Sequence, residues 1–278
     1  MRITFTILLP SYKSRFLREC IEGVLAQTYE AWELIIVNDA SPENLDSIVQ
    51  SYSDPRIHYY INEHNIGALH LVQQWNTCLQ YAQGDYCICI GDDDRLMPRC
   101  LETYAELIEE YPQVEVLHGQ TDIINEQGDV ISHTAKRPAW ESAMSMLYHR
   151  IYDRRPQFIG DFCFLSAALK NRGGFYDLPL AWGSDDISAL LAATHHGIAN
   201  TSEVVFQYRS NEMSITSQKY LFPKLKAVLL EAAWKRRFLR QPQSDSQDER
   251  YRRQLRKGLA KHTLRKMYYV WINAKRTK

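Results

Sequence analysis

The sequence predicts an α/β protein with a mostly parallel sheet that is covered by helices on both faces. Short apolar runs alternate along the chain with segments whose apolar residues have helical spacing. One of these runs, WELIIV at residues 32–37, is continuously apolar, which is typical of a strand buried on both faces. Strands that alternate with helices of this length favour a parallel sheet. With 278 residues, 45% of them hydrophobic, the chain can bury the core that such a sheet needs.

The alternation can be followed element by element up to residue 112. We predict strands over 3–9, 32–37, 56–61 and 86–90, and helices over 16–25, 45–52 and 68–82. The pattern then loosens, with strands predicted over 114–117 and 121–125 and a turn at 126–129. Residues 241–250 are polar and predict a mobile linker before a basic C-terminal stretch. We therefore expect two halves, 1–112 and 113–218, and a helical extension over 219–278.

Charge is distributed unevenly along the chain. Lys and Arg together number 33, as do Asp and Glu, yet residues 235–278 hold 15 basic residues against 3 acidic ones. The six cysteines form no C-x-x-C pair, which favours reduced thiols in the core over a zinc site or disulfides. The amino terminus lacks signal-peptide features, and no run approaches the roughly 18–20 apolar residues of a membrane span. We therefore expect a cytoplasmic protein.

The stretch GDYCICIGDDDR, at residues 84–95, ends a buried strand in three consecutive aspartates, Asp92, Asp93 and Asp94. Adjacent carboxylates repel one another, and this set has one arginine as its immediate neighbour. Carboxylate oxygens suit Mg²⁺ or Mn²⁺, which share their remaining positions with water and substrate phosphates. The stretch therefore indicates a metal site beside a nucleotide diphosphate. The alternative is a solvated acidic turn that caps the helix beginning near residue 98.

Other polar clusters follow the strands of the first half, where a parallel sheet of this kind forms its ligand crevice. They lie at residues 10–12, 38–39 and 62–67. The chain has no glycine-rich phosphate loop, so a bound nucleotide would depend on a metal and on separate side chains. Asp39 is suited to accept a hydrogen bond from a base or a ribose, and Tyr12 to stack on a base. Taken singly, an aspartate at such a position is more often a helix N-cap than a ligand.

A second acidic pair, Asp185 and Asp186, precedes a helical pattern. The charge of one carboxylate raises the pKa of the other, which is the property that a general base needs near neutral pH. Helix capping by Ser184 or Asp185, with Asp186 interacting with the helix dipole, explains the same residues equally well. The pattern alone therefore leaves both interpretations open.

The order of these segments resembles the family 2 glycosyltransferases of the GT-A fold. The resemblance covers residues 3–216 and is carried by four segments in series: ILLPSYKSRFLRECIEGVLAQTYEAWELIIVNDAS, NIGALHLVQQWNTCLQYAQGDYCICIGDDDR, GGFYDLPLAWGSDDISALL and FQYRSNEMSIT. It implies a Rossmann-like half that binds a nucleotide sugar, an acceptor-binding half, and transfer with inversion at the anomeric carbon. A series in this order is far more specific than any one of its motifs.

The resemblance also implies roles in donor binding. Asp92 and Asp93 would contact the ribose and diphosphate, and Asp94 would bind Mn²⁺ or Mg²⁺ directly. Arg209 would neutralise the departing nucleoside diphosphate, whereas Asn211, where the family often has His, is not assigned to the metal. The residues implied in contacts near the nucleotide base are Pro10, Tyr12, Asp39, Asn65 and Gly67.

For catalysis, the resemblance implies that Asp186 is the base, with Asp185 in place of the usual Glu. That substitution leaves open which of the two takes the proton. UDP is favoured over dTDP because the family favours it. Candidates for acceptor or sugar specificity, without a pattern that ranks them, are Trp140, Asp161, Phe162, Trp182 and His196.

Three functions are compatible with these features. The first is a metal-dependent, inverting sugar transferase that acts on a glycan or lipid-linked acceptor in surface polysaccharide synthesis. A sugar nucleotidyltransferase would show a glycine-rich basic signature where this chain has PSYKSR, and a silent binding protein would not need Asp94 and Asp186. The basic C-terminus predicts either peripheral contact with an anionic membrane or packing against the acidic body. No recognition motif supports nucleic-acid binding.

Overall fold

A computed structural model describes residues 2–211 and 218–275 of the chain. The end of the FQYRSNEMSIT segment, residues 212–216, lies outside the described residues, as does residue 217 before the expected boundary at 218. The strands are β1 (Phe5–Ser11), β2 (Trp32–Asn38), β3 (Ile57–Ile61), β4 (Tyr86–Cys89), β5 (Arg95–Leu96), β6 (Val116–Ile124), β7 (Val130–His133), β8 (Trp140–Glu141), β9 (Phe162–Leu165) and β10 (Ile198–Arg209). The α-helices are α1 (Leu17–Leu25), α2 (Leu45–Val49), α3 (Leu71–Tyr81), α4 (Cys100–Glu110), α5 (Ala143–Tyr152), α6 (Ser166–Asn171), α7 (Ser184–Ala192), α8 (Leu221–Phe238) and α9 (Ser246–Lys275).

The strands of the described residues form one sheet in the order β3-β2-β1-β4-β9-β6-β10-β5, with β7 paired to β6 and β8 paired to β10. In the first half, β1 pairs in parallel with both β2 and β4, and β2 pairs in parallel with β3. In the second half β6 and β10 are parallel, and antiparallel strands surround them. The carboxyl ends of β1, β2 and β4 therefore meet at one edge, where the predicted ligand crevice lies.

Helices cover both faces of the sheet, as predicted. Along β1, Leu8 faces one hydrophobic cluster while Ile7 and Leu9 face the other, because successive side chains of a strand point to opposite sides. The first cluster contains buried residues of α3, α5, α7, α8 and α9. The second contains those of α1, α2 and α4. The α/β fold class with a sheet between two helical layers is confirmed.

The C-terminal helices pack into the body of the protein. Ala227 and Trp234 of α8 and Leu255 and Leu259 of α9 belong to the same buried cluster as Leu8 of β1. The linker expected over 241–250 is shorter than predicted, because α9 begins at Ser246 and Asp245 accepts hydrogen bonds from the backbone N–H groups of the first turn. Within the described part of the chain, no helix has an apolar stretch that could cross a bilayer.

The two strands predicted over 114–117 and 121–125 form one continuous strand, β6. The polar and glycine residues between them indicated a break, yet β6 pairs on both edges with β9 and β10. Gly119 allows β6 and β10 to approach each other closely, because a Cβ there would lie 2.0 Å from Cγ2 of Val205.

All six cysteines are unpaired and buried, so they lie in the core as predicted.

We expect Gly119→Ala to destabilise the protein by about 1–3 kcal/mol, because the added methyl group has no space beside Val205. Urea unfolding of Gly119→Ala, Val205→Ala and the double variant measures this effect. The double variant should be less destabilised than the sum of the single variants, because the smaller side chain at position 205 accommodates the methyl group. Additive losses would show that the two residues do not compete for space.

Candidate active site

The loops that follow β1, β2 and β4 are joined by hydrogen bonds at the carboxyl edge of the sheet. Oδ2 of Asp92 accepts from the backbone N–H groups of Tyr12 and Lys13, each at 2.7 Å. The N–H of Asp39 donates to the carbonyl oxygen of Ser11 at 2.9 Å. These contacts bring the predicted base-binding residues beside the aspartates. Tyr12 is 42% exposed, so it is accessible for stacking.

Asp39 is buried and organises the loop at residues 62–67. Its Oδ1 accepts from the Asn62 side chain and from the N–H of Ile66, both at 2.9 Å. Its Oδ2 accepts from the Asn65 side chain at 3.1 Å and from the N–H of Gly67 at 3.2 Å. Asp39, Asn65 and Gly67 therefore form one unit, as their shared assignment near the nucleotide predicts. The helix that follows is capped by Asn44, so Asp39 is not its N-cap.

The three aspartates are packed into a loop that holds more negative than positive charge. Asp92 and Asp94 are buried, and burial together with the charge of Asp93 raises the pKa of Asp92 to about 6 and the pKa of Asp94 well above its usual value. Asp93 Oδ2 lies 3.8 Å from Lys13 Nζ and accepts a hydrogen bond of 2.7 Å from the Asn211 side chain. A solvated surface turn would not raise these pKa values by burial.

The residues of this loop fit a divalent cation. Gly91 leaves open a space in which a Cβ would lie 2.9 Å from Asp93 Oδ1 and 3.0 Å from Asp94 Oδ2, so two carboxylate oxygens converge over this glycine. Hard oxygen donors of this kind suit Mg²⁺ or Mn²⁺, which need only one or two protein carboxylates when phosphate and water supply the rest. Among residues 2–211 and 218–275, no group of three His, Cys, Asp or Glu side chains forms a metal cage.

Arg209 is buried against the aspartate loop. Its guanidinium is fully buried, donates to the carbonyl oxygen of Asp93 at 2.8 Å and to Glu19 at 2.7 Å, and lies 4.1 Å from the ring centre of Phe16. Its backbone N–H donates to Asp94 Oδ1 at 2.8 Å. The expectation that Arg209 contacts the diphosphate stays a prediction; in this structure all three guanidinium nitrogens donate to protein acceptors. The bonds of Arg209 to the aspartate loop fix the positions of Asp93 and Asp94.

The second acidic pair lies in the first turn of α7. Asp186 is buried, and its Oδ1 accepts from Arg150 Nε at 2.9 Å and from the Gln157 side chain at 2.7 Å. Although burial alone would raise the pKa of Asp186, the nearby cations hold it below its usual value. Burial and the charge of Asp186 raise the pKa of Asp185 to about 7. One carboxyl group of the pair thus has a raised pKa and the other a lowered pKa, and a raised pKa is what a general base requires near neutral pH. The position in the first turn also suits the helix dipole.

The specificity candidates do not form one site. Asp161 and Phe162 are fully buried. Asp161 accepts a hydrogen bond from Thr121 and Phe162 packs in the core, so neither side chain is accessible to an acceptor substrate. The indole N–H of Trp140 donates to the carbonyl oxygen of His196 at 2.8 Å on the surface. Trp182 lies beside α8, with Lys224 Nζ 4.6 Å from its ring centre.

Several residues in contact with the predicted site residues were not identified from the sequence. Glu19 and Lys13 are surface-type residues in a helix and a loop, and Arg150 and Lys235 are ordinary basic residues of helices. Each contacts a partner that lies on a different element or loop of the chain. Hydrophobic periodicity assigns elements but does not report which polar side chains meet between them, so no sequence signal marked these four.

Comparison with known proteins identifies the family and the fold of this chain. The family model described as "Glycosyl transferase family 2" matches residues 6–178, and the chain belongs to this family. The chain has the GT-A fold: it superposes with a TM-score of 0.71 on S. aureus TarS 1–349 in complex with UDP-GlcNAc, with 16% identity, covering 98% of this chain and 79% of that one. The mannosyltransferase PcManGT of Pyrobaculum calidifontis, in complex with GDP-Man and Mn²⁺, gives a TM-score of 0.62 at 16% identity, with coverage of 98% and 74%.

Two curated relatives have names that refer to polysaccharide synthesis. The putative colanic acid biosynthesis glycosyl transferase WcaA of Escherichia coli is 37% identical over 102 residues, or 36% of this chain and 36% of its own length. The putative teichuronic acid biosynthesis glycosyltransferase TuaG of Bacillus subtilis is 34% identical over 108 residues, or 38% of this chain and 42% of its own. The matches thus span less than half of these relatives.

Replacing Arg209 by Met should destabilise the protein by about 2–3 kcal/mol, because it removes the charged hydrogen bonds of a fully buried guanidinium. Arg15→Met is the control, since Arg15 is half exposed and pairs with Glu126 at 2.8 Å; it should change stability by about 0.5 kcal/mol or less. Urea unfolding measures both. Equal losses in the two variants would mean that the buried arginine has no special role in holding the loop.

Proposed function

We propose that this protein is an inverting glycosyltransferase that moves a sugar from a nucleoside diphosphate sugar, with UDP favoured, to an acceptor hydroxyl. The observation that carries the proposal is the loop at residues 91–94, in which the carboxylates of Asp93 and Asp94 converge beside the loop that follows β1. Such a loop is suited to a divalent cation with an anionic diphosphate. Family membership and the fold shared with sugar-nucleotide complexes support the same assignment.

The residues divide into donor and acceptor groups, in keeping with halves over 1–112 and 113–218. Tyr12 and the unit built on Asp39 would bind the base and ribose. Asp94, with Asp93 beside it, would hold Mn²⁺ or Mg²⁺, and such an ion would supply positive charge next to the diphosphate. The Asp185–Asp186 pair would take the proton of the acceptor hydroxyl as its oxygen attacks the anomeric carbon opposite the diphosphate. A single displacement inverts the configuration and needs no covalent enzyme intermediate.

A lipid-linked acceptor is the class that the relatives favour. The relative WfgD of Escherichia coli, 36% identical over 98 residues, 35% of this chain and 38% of its own length, is named as a glucosyltransferase acting on GlcNAc-diphosphoundecaprenol. Such an acceptor lies in a membrane, so the enzyme must reach a lipid surface. We place that contact on the exposed face of α9 within the extension over 219–278.

The exposed face of α9 combines basic and apolar side chains. No Asp or Glu follows Glu249 in the sequence, so this face carries positive charge alone. Steps of three and four residues place its members on one stripe: Lys257, Lys261, Leu264, Tyr268, Trp271 and Lys275, all of them exposed. Aromatic and leucine side chains enter the lipid interface, and each basic residue near an anionic surface contributes about 1 kcal/mol.

Calorimetric titration of UDP, dTDP and GDP, with and without Mn²⁺, tests donor binding. We expect one of these nucleotides to bind with the metal present and Asp94→Ala to weaken that binding by roughly tenfold or more. Asp85→Asn is the matched control, because Asp85 lies at the opposite end of the same strand and its carboxylate accepts from the backbone N–H and the hydroxyl of Thr4. Absence of binding in every combination would reject the transferase assignment and leave only the fold.

Sedimentation with vesicles tests the lipid contact. The protein should bind vesicles that contain phosphatidylglycerol more strongly than phosphatidylcholine vesicles, and high salt should weaken this binding. The double variant Leu264→Glu with Trp271→Glu should lose most of it. Ile131→Glu, which alters an exposed apolar residue on β7, should not change it. If the two α9 substitutions have no effect, the helix does not form the contact.

A further inference from the structure

A chain of alternating buried charges connects the candidate base to the two C-terminal helices. Asp186 Oδ2 lies 3.7 Å from Lys235 Nζ of α8, and Lys235 Nζ lies 2.5 Å from Glu231 Oε1, one helical turn earlier. Glu231 Oε2 is 2.5 Å from Lys266 Nζ of α9. On its other side, Asp186 binds Arg150 of α5. Through Asp186 and Glu231, this chain of ion pairs joins side chains of α5, α7, α8 and α9.

The position of these charges is not explained by stability alone. Asp186, Lys235 and Glu231 are each at most 4% exposed as side chains, and removing such charges from water costs several kcal/mol per ion. Apolar side chains of similar size often stabilise a protein equally well at such sites. The packing of α8 already has buried apolar contacts through Ala227, Val228 and Trp234. The charged residues of α8, Lys235 and Glu231, instead lie where this helix packs beside the acidic pair.

We propose that Lys235 and Glu231 are positioning residues of the transfer site, which fix the orientation and the charge of the Asp185–Asp186 pair. This inference rests on the proposed function, because the pair is the candidate base. It assigns to the C-terminal helices a role in catalysis, in addition to their proposed role at a lipid surface. The helices lie beyond the segment that the family model matches, residues 6–178.

The charge balance of the cluster supports this role. The charged and titratable groups that face the pair are Arg150, Lys235, Lys266, Glu231, His262 and Asp161. Burial and the nearby lysines lower the pKa of His262 to about 4, and burial raises the pKa of Asp161 to about 8, so both are mostly neutral at pH 7. Three cations then face two anions, and the cluster becomes neutral when Asp185 is also ionised.

Opposite charge changes in this cluster should shift the pH dependence of transfer in opposite directions. The base must be ionised to accept a proton, so kcat/KM rises with pH through its pKa. Lys235→Met removes a cation and should move this rise to higher pH by about one unit or more. Glu231→Gln removes an anion and should move it to lower pH. The double variant should return toward the wild-type profile.

Val228→Ala is the control for a purely structural effect, because it destabilises the same helix without changing charge. It should leave the pH of the rise unchanged even if activity falls. Profiles of Lys235→Met and Glu231→Gln that stay in place, or that move in the same direction, would overturn the inference. Since folding losses change the height of a profile and not the sign of its shift, the test tolerates partial destabilisation.

A second measurement separates failure of this inference from failure of the proposed function. Carbon NMR titration of the aspartate carboxyl groups in the full-length protein reports the acidity of the pair without any substrate. If the two variants shift this titration in opposite directions but the wild type transfers no sugar from any donor, the cluster controls the charge of the pair and the proposed function is wrong. If the wild type is active and the titration does not move, Lys235 and Glu231 are structural residues only.

Discussion

The burial of negative charge at the carboxyl end of β4 is the constraint to which the rest of the site responds. Asp92 and Asp94 are buried next to Asp93, and their pKa values rise because a buried carboxylate resists ionisation. In the neighbouring loop, the backbone N–H groups of Tyr12 and Lys13 donate to Asp92, and Arg209 donates to the carbonyl oxygen of Asp93. The loop still carries excess negative charge at a fixed position. A divalent cation bound there would offset this charge and could also bind a diphosphate.

The two candidate centres of buried charge are held in different ways. The proposed donor centre is held by loops that follow parallel strands, so its geometry comes from the sheet and from backbone donors. The acidic pair on α7 is held by side chains of α5, α8 and α9, so its geometry comes from helix packing. A fixed strand edge suits recognition of a common nucleotide, whereas contacts between helices can differ from one acceptor to another.

The C-terminal helices link these functions physically. One side of α9 contributes Leu255 and Leu259 to the core and Lys266 to the charge chain, while its opposite stripe presents basic and aromatic residues to solvent. Contact of that stripe with an anionic surface would therefore act on the same helix that neutralises Glu231. In this arrangement, α9 contacts the charge chain that leads to the acidic pair on one side and carries the proposed lipid-facing stripe on the other.

The sequence alone determined the fold class, the order of the first elements and the residues at the strand ends, because hydrophobic periodicity and motif order are local properties. It placed Asp39, Asn65 and Gly67 near one another and marked the acidic pair on α7. Only the tertiary structure decided that β6 is continuous, that Asp161 and Phe162 are core residues, and that the Arg209 side chain is buried against the aspartate loop. Those outcomes depend on which side chains meet across distant elements, and the contacts of Lys235 with Asp186 and of Glu231 with Lys266 arise only when the helices pack.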